Sequence, residues 1–456
     1  MEDKMTRREA LRGMFLAGMG LAFCGPLMNG ANHVATPSVP GPWKEAPEGS
    51  KIDFRTWGKM GETLGMLGLG CMRLPTLSGS SGGFGRNAPL DQDAVNAMVD
   101  YAIAHGVNYF DTAPAYGESE KVTGKALSRH PRESFRIATK MSNMRGRATL
   151  EAGKEMFETS LKNLRVDYVD FLLLHNIQNM AGYNSRFRDN GLFEWIKEQK
   201  AKGRIRHLGF SFHGTNADLP GLVDLYDWDF VQIQLNYLDW KEMSAGWGGS
   251  SGTTSSEYLY NYLVGKGIPV VVMEPIKGGQ LANVSDGIAA VLKDRHPDLT
   301  PAANALSFVG SLPGVMVTLS GMSNMAQLKE NVSLFTGFKP FDQQEHDFML
   351  NVADLLKSKG QIPCTACAYC MPCPFGVDIP GNFKVFNSAS DALLSTDTAN
   401  KNVIAKRKEF VKRYNEQAEA VRADACIGCK ACLSKCPQHI SIPQHMQRIR
   451  DLAKKI

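Results

Sequence analysis

The sequence predicts an α/β chain built on a closed barrel of eight βα units, followed by a smaller, mainly helical domain. Three observations predict it. Between about residues 50 and 340, short leucine-rich or β-branched runs alternate with longer amphipathic ones. A 456-residue chain that is 43 % hydrophobic holds more apolar material than one core usually absorbs, so two domains and a leader are expected. Most of the ten cysteines crowd into two tight runs near the C-terminus, where the alternation has stopped. The resulting division is a leader over residues 1–36, a linker over 37–49, the barrel over 50–340 and the C-terminal domain over 341–456.

Eight strands are expected at Met66–Cys71, Val107–Asp111, Phe135–Lys140, Tyr168–His175, Arg206–Ser211, Phe230–Asn236, Ile268–Met273 and Val315–Ser320. Helices fill the gaps between them. Asp91–His105 places Val95, Met98, Val99 and Ala102 on one stripe, with Gly106 as a C-terminal cap, and Leu150–Leu164 does the same with Phe157, Leu161 and Leu164. An open doubly wound sheet would need a chain reversal that the pattern lacks, so the units close into a (β/α)8 TIM barrel. Chemistry in such barrels sits at the C-terminal strand ends, and Asp111, Lys140, His175, Ser211 and Asn236 all end an apolar strand. The Gly/Ser-rich stretches Leu77–Asn87 and Ser244–Ser256 read as flexible loops, the second a lid over the active face.

Reducing a carbonyl by hydride requires a proton donor at its oxygen. A tyrosine can serve if a nearby cation lowers its pKa, a lysine can be that cation, a carboxylate can hold the lysine and a histidine can orient the oxygen. Asp111, Tyr116, Lys140 and His175 supply one of each, in that order, on consecutive strand ends. In type, order and approximate spacing this quartet resembles the catalytic tetrad of the aldo-keto reductase family, over about Lys51 to Lys339. Trp57-Gly58-Lys59-Met60-Gly61 and Leu67-Gly68-Leu69-Gly70-Cys71-Met72-Arg73-Leu74 resemble that family's N-terminal hairpin and first strand.

The resemblance implies NAD(P)H extended across the barrel mouth. Ser211 and Gln232 would hold the nicotinamide carboxamide, Met273 would lie where an aromatic ring usually stacks, and Gly321, Ser323, Gln327 and Asn331 would lie along the adenosine phosphate. Three departures stand out. Ser211-Phe212-His213 replaces the usual Ser-Asn pair. Met273 packs against a ring without π-stacking. Gly321 and Gln327 stand where NADP-specific members carry Lys and Arg, which leaves NAD and NADP both open.

Cys364, Cys367, Cys370 and Cys373 are each two residues apart and precede Pro374, whereas Cys426, Cys429, Cys432 and Cys436 follow a two, two, three spacing and precede Pro437. Zinc sites usually draw pairs of cysteines from separate turns. Three thiolates two residues apart instead fit three corners of one iron-sulfur cubane, with the Cys-Pro member reaching the neighbouring one. Two 4Fe-4S clusters are therefore expected, with crossed ligation: Cys364, Cys367 and Cys370 with Cys436, and Cys426, Cys429 and Cys432 with Cys373. The short last step of the first run and the long gap between runs favour a helical ferredoxin-like module. Between the runs, Val403–Val421 reads as one amphipathic helix whose basic first half is either a solvated face or a docking surface for an acidic redox partner.

Thr6-Arg7-Arg8-Glu9-Ala10-Leu11 followed by the apolar run Gly13–Phe23 resembles a twin-arginine signal, which exports proteins already folded and points to the periplasm, with Cys24 a loose match to a lipid-anchor site. The run is too short to span a bilayer, so an integral membrane protein is not expected. A formal charge of +5 with scattered basic residues gives no case for nucleic acid. The expected function is hydride transfer between a nicotinamide cofactor and a small carbonyl or alcohol, coupled through the clusters to a redox partner protein. A barrel that serves only as the docking scaffold of an electron-transfer subunit is the alternative.

Overall fold

The computed structural model describes residues 43–456 apart from 80–87, 145, 147, 244–253, 359, 394–400 and 439. The twin-arginine-like segment, Cys24 and most of both Gly/Ser-rich loops lie outside the described residues. The chain enters through an antiparallel hairpin, β1 (Phe54–Trp57) and β2 (Glu62–Gly65), in register from Phe54↔Gly65 to Trp57↔Glu62. Eight parallel strands then close on themselves: β3 (Leu67–Gly70), β4 (Tyr109–Asp111), β5 (Arg136–Met141), β6 (Val169–Ile177), β7 (Ile205–Phe212), β8 (Phe230–Gln234), β9 (Val270–Met273) and β10 (Val315–Ser320), with β10 pairing β3. All eight expected strands are present, with ends shifted by a few residues.

The helices form where their stripes and caps dictate. Asp91 caps Gln92–Ala104 by accepting from the amides of Asp93 and Ala94, and Gly106 follows at φ +87°, the left-handed conformation glycine adopts without strain. Leu150–Leu164 starts at Thr149, which accepts from Ala152, and buries Phe157, Leu161 and Leu164. Tyr109, Phe171, Leu173, Phe230, Val271 and Met316 fill the inside of the barrel. A larger core lies between strands and helices. Each large side chain so buried contributes roughly 1.5–3 kcal/mol.

The helix Gln343–Ser358 places Met349, Val352, Ala353 and Leu356 in the barrel's core, although the sequence pattern groups it with the C-terminal domain. A second core begins at Ile362 and joins Val377, Phe383, Phe386, Phe410, Tyr414, Met446 and Ile449. It is helical among the described residues, built from Ile379–Asn387, Lys401–Asn415 and Ile442–Lys455. The expected helix over 403–421 stops at Asn415. Beyond it, Val421 O accepts from Asp378 N (2.9 Å) and from Asn382 Nδ2 (2.8 Å), and Ala423 N donates to Asn382 Oδ1 (2.9 Å). These tertiary bonds turn the backbone away from the helical path that the apolar spacing favours. Among the described residues no helix is long and apolar enough to cross a membrane.

Candidate active site and cysteine cavities

At the C-terminal end of the barrel, Lys140 Nζ lies 2.5 Å from Asp111 Oδ1 and donates to Thr112 O at 2.9 Å. Both side chains are buried. Burial pushes the Asp111 carboxyl up, and the Lys140 ammonium opposes it. Lys140 Nζ also stands 5.0 Å from the centre of the Tyr116 ring, which meets the His175 ring edge-on at 6.0 Å. The four expected residues therefore converge on one spot.

Tyr116 differs from expectation in its acidity. Burial pushes its phenol well above the ordinary range, and Asp111, Cys71 and Glu274 push the same way. It is held protonated, as a proton donor must be before it reacts. His175 is held neutral: burial carries it well below its usual range, and Lys140, His213 and Arg186 add repulsion. Its Nδ1 sits 2.5 Å from Ser142 Oγ. Donation from that hydroxyl leaves the ring proton on Nε2, where it can meet a substrate oxygen.

The residues expected along a nicotinamide cofactor divide into two groups. Ser211 Oγ accepts from Asn176 N (2.8 Å) and Gln232 Nε2 donates to Asp111 Oδ2 (3.3 Å). The Ser211 hydroxyl proton and Gln232 Oε1 remain to meet a carboxamide, so this end fits the group, with Met273 closing β9 nearby. At the other end the polar side chains satisfy their own loop: Ser323 N donates to Gln327 Oε1 (2.7 Å) and Asn331 Nδ2 to Ser320 Oγ (3.0 Å). Gly321 carries no side chain, but Arg73 packs beside it. The stem of Arg73, from the turn after β3, thus covers this segment while its guanidinium donates to Thr365 O at 3.0 Å.

Other residues became visible only in three dimensions. Arg186, on a π-helical turn over Asn184–Arg188, donates to His175 O (2.6 Å) and Asn176 O (2.9 Å) and pins the end of β6. Asn236 holds Asp239, which pairs with buried Lys277 at 2.5 Å. Glu274, just past β9 at φ +55°, is buried with Oε2 unpartnered among the described residues, and burial pushes its carboxyl up to about 7 against Lys277 and Arg73. A polar residue directly after an apolar strand is the signal that could have flagged Glu274, whereas Arg73, three residues past β3, carries none.

The cysteines gather around two cavities. One, of about 290 Å³, is lined by Cys364, Cys367, Cys370 and Cys436. The other, of about 420 Å³, is lined by Cys370, Cys373, Cys426, Cys429 and Cys432, so Cys370 borders both. The first cavity thus brings Cys436 to the first run, and the second brings Cys373 to the second run. Burial pushes the Cys364 thiol up to about 12 and the Cys367 and Cys432 thiols up to about 11. Buried thiolates need a positively charged partner, which iron supplies, so the donor sets fit clusters.

A model described as the aldo/keto reductase family matches residues 66–352, well over half of the chain. The chain belongs to the aldo/keto reductase family. A second model, described as a 4Fe-4S dicluster domain, matches residues 363–441, so this family member carries an iron-sulfur domain behind its barrel. It is 27 % identical over 312 residues to the L-galactose dehydrogenase of Arabidopsis thaliana, covering 63 % of this chain and 89 % of that one. It is 29 % identical to the probable aldo-keto reductase 1 of Glycine max, over 34 % of this chain and 43 % of that one. The aldo-keto reductase of Bacillus halodurans, solved in its holo form, shares the fold with a TM-score of 0.52 at 23 % identity, over 66 % of this chain and 96 % of that one. The chain is thus an oxidoreductase whose barrel is joined to iron-sulfur chemistry.

Proposed function

We propose that the barrel interconverts a small carbonyl and its alcohol by hydride transfer with NAD or NADP, and that two 4Fe-4S clusters exchange electrons with a partner protein. The observation that carries it is the meeting of Asp111, Lys140, Tyr116 and His175 at one mouth of the barrel. When bound, a nicotinamide supplies or takes the hydride. The chain does the rest. Tyr116 gives its phenolic proton to the carbonyl oxygen, and His175 Nε2–H holds that oxygen in place. Lys140, fixed by Asp111, stabilises the phenolate left behind, and Ser211 and Gln232 hold the carboxamide. The name of the Arabidopsis relative, a sugar dehydrogenase, supports a hydroxylated substrate.

Around the cysteine cavities the crossed sets would hold one cluster each, as stores for single electrons. Replacing Tyr116 by Phe tests the reading. Carbonyl reduction should fall by about 10²–10⁴-fold while the clusters keep their spectrum and stay reducible. No carbonyl reduction in the wild type, with cluster reduction the same in both proteins, would favour the barrel as a docking scaffold, a reading motivated by His213, Met273 and Gln327 at the cofactor positions. Export in folded form, proposed from Arg7-Arg8 and the apolar run after them, suits a protein whose clusters are assembled before translocation.

A further inference from the structure

The two cysteine cavities face different things. The Cys364, Cys367, Cys370 and Cys436 cavity is turned to the barrel mouth. Thr365, between its first two cysteines, accepts from Arg73 Nη2 at 3.0 Å and lies so close to Gly278 that a Cβ there would come within 1.8 Å of Thr365 O. Gln438, two residues past Cys436, accepts from Lys277 Nζ at 3.0 Å. Tyr369, between Cys367 and Cys370, stands within electrostatic reach of Tyr116 and Glu274. The cavity of Cys373, Cys426, Cys429 and Cys432 instead opens outward. Cys429 is exposed, and on the same rim Ile427 and Phe375 are 66 % and 44 % exposed. Lys430 and Lys435 line that cavity too and are exposed.

Resting on the two-cluster reading, we propose that electrons enter and leave the molecule at the outward cluster, through a docking surface centred on Phe375 and Ile427 and ringed by Lys430 and Lys435. Its partner is an acidic one-electron carrier protein. Two large apolar side chains in water beside a redox cavity form the dry centre of an interface, and the lysines are its charged rim. The rim sets the sign: it attracts a carrier whose surface is negative and speeds its approach. The basic helix Lys401–Asn415 is less suited, because Lys406 pairs with Asp391 and Arg407 and Arg413 bond to Ala392 O and Ser388 Oγ. In the transfer one electron leaves the carrier and enters the outward cluster, with no bond made or broken.

The test uses the anaerobically purified full chain, with iron counted first. Its clusters are reduced in a stopped-flow instrument by an acidic plant-type [2Fe-2S] ferredoxin and, separately, by methyl viologen radical. With the ferredoxin, the wild-type rate should fall as salt rises, and Lys430→Glu with Lys435→Glu should lower it by about tenfold or more at low salt. Phe375→Ser should slow the ferredoxin reaction at every salt concentration. The viologen rate should be unchanged in Phe375→Ser and should not fall in the Lys→Glu protein, because the viologen radical is a small cation that gains from the added negative charge. Iron short of two clusters overturns the two-cluster reading. Full iron with a ferredoxin rate that is absent, or indifferent to the substitutions and to salt, overturns the docking surface alone.

Discussion

At the scale of single residues, the site works by withholding water. Asp111, Lys140 and His175 are buried side chains, and burial is the main push on both the Asp111 carboxyl and the His175 imidazole. His213 shows the consequence for stability. Burial, reinforced by Lys140, pushes its imidazole from 6.5 down to about 4. Above 6.5 the ring is neutral in folded and unfolded chains and contributes nothing. Below 6.5 the unfolded chain takes up a proton that the folded one refuses, so stability is lost as pH falls towards 4, by up to about 3 kcal/mol. His213→Gln removes this titration. Its denaturant midpoint should therefore decline less than that of the wild type between pH 7 and pH 5, and parallel declines would refute the assignment.

Tyr116 was readable as a site residue from its place after Asp111, whereas its acidity was not. The sequence shows the cation and not the burial. Only the enclosed position next to Asp111, Cys71 and Glu274 shows that the phenol is held protonated.

At the scale of elements, the helix pairs around the barrel are set by small residues as well as by apolar stripes. Gly124, in the helix Ser119–Leu127, faces the end of Leu150–Leu164. A Cβ there would come within 2.3 Å of Asn163 O and 2.6 Å of Leu164 Cα. Backbone cannot step aside cheaply, so Gly124→Ala should destabilise the chain by about 1–3 kcal/mol. Gly265, in the helix Ser256–Gly265, meets nothing within 4 Å. Gly265→Ala should be neutral, or stabilising by about 0.4–1 kcal/mol. Unfolding midpoints of the two variants should thus move apart, and equal shifts would mean that the helices are free to separate. Periodicity predicted Leu150–Leu164, because an amphipathic stripe is a local property, whereas Ser119–Leu127 was expected only as one of the helices filling the gaps between strands. Periodicity could not predict the end of the helix at Asn415, because the competing bonds come from Asp378 and Asn382, far away in sequence.

At the scale of the whole molecule, the two cores are joined where the first cysteine run meets the barrel mouth, through Arg73, Gly278 and Lys277 on one side and Thr365 and Gln438 on the other. The crossed sets have a sharp consequence for metal content. Cys364 borders only the inward cavity. Cys364→Ser should therefore cost about half of the iron, with the spectrum of one 4Fe-4S cluster remaining. Loss of both clusters from this single change would contradict independent sets.

The sequence by itself determined the barrel, its eight strands, the Asp-Tyr-Lys-His quartet and the cysteine sets. Each of these is written in local spacing, whether the period of a strand or helix, the polar residue that ends a strand, or the steps between thiols. Tertiary structure alone decided which cavity faces the barrel, that Arg73 bonds to Thr365 across the junction, and that the helix after residue 342 packs with the barrel. Those outcomes depend on hydrogen bonds and burial between segments far apart along the chain, and local pattern carries no record of them.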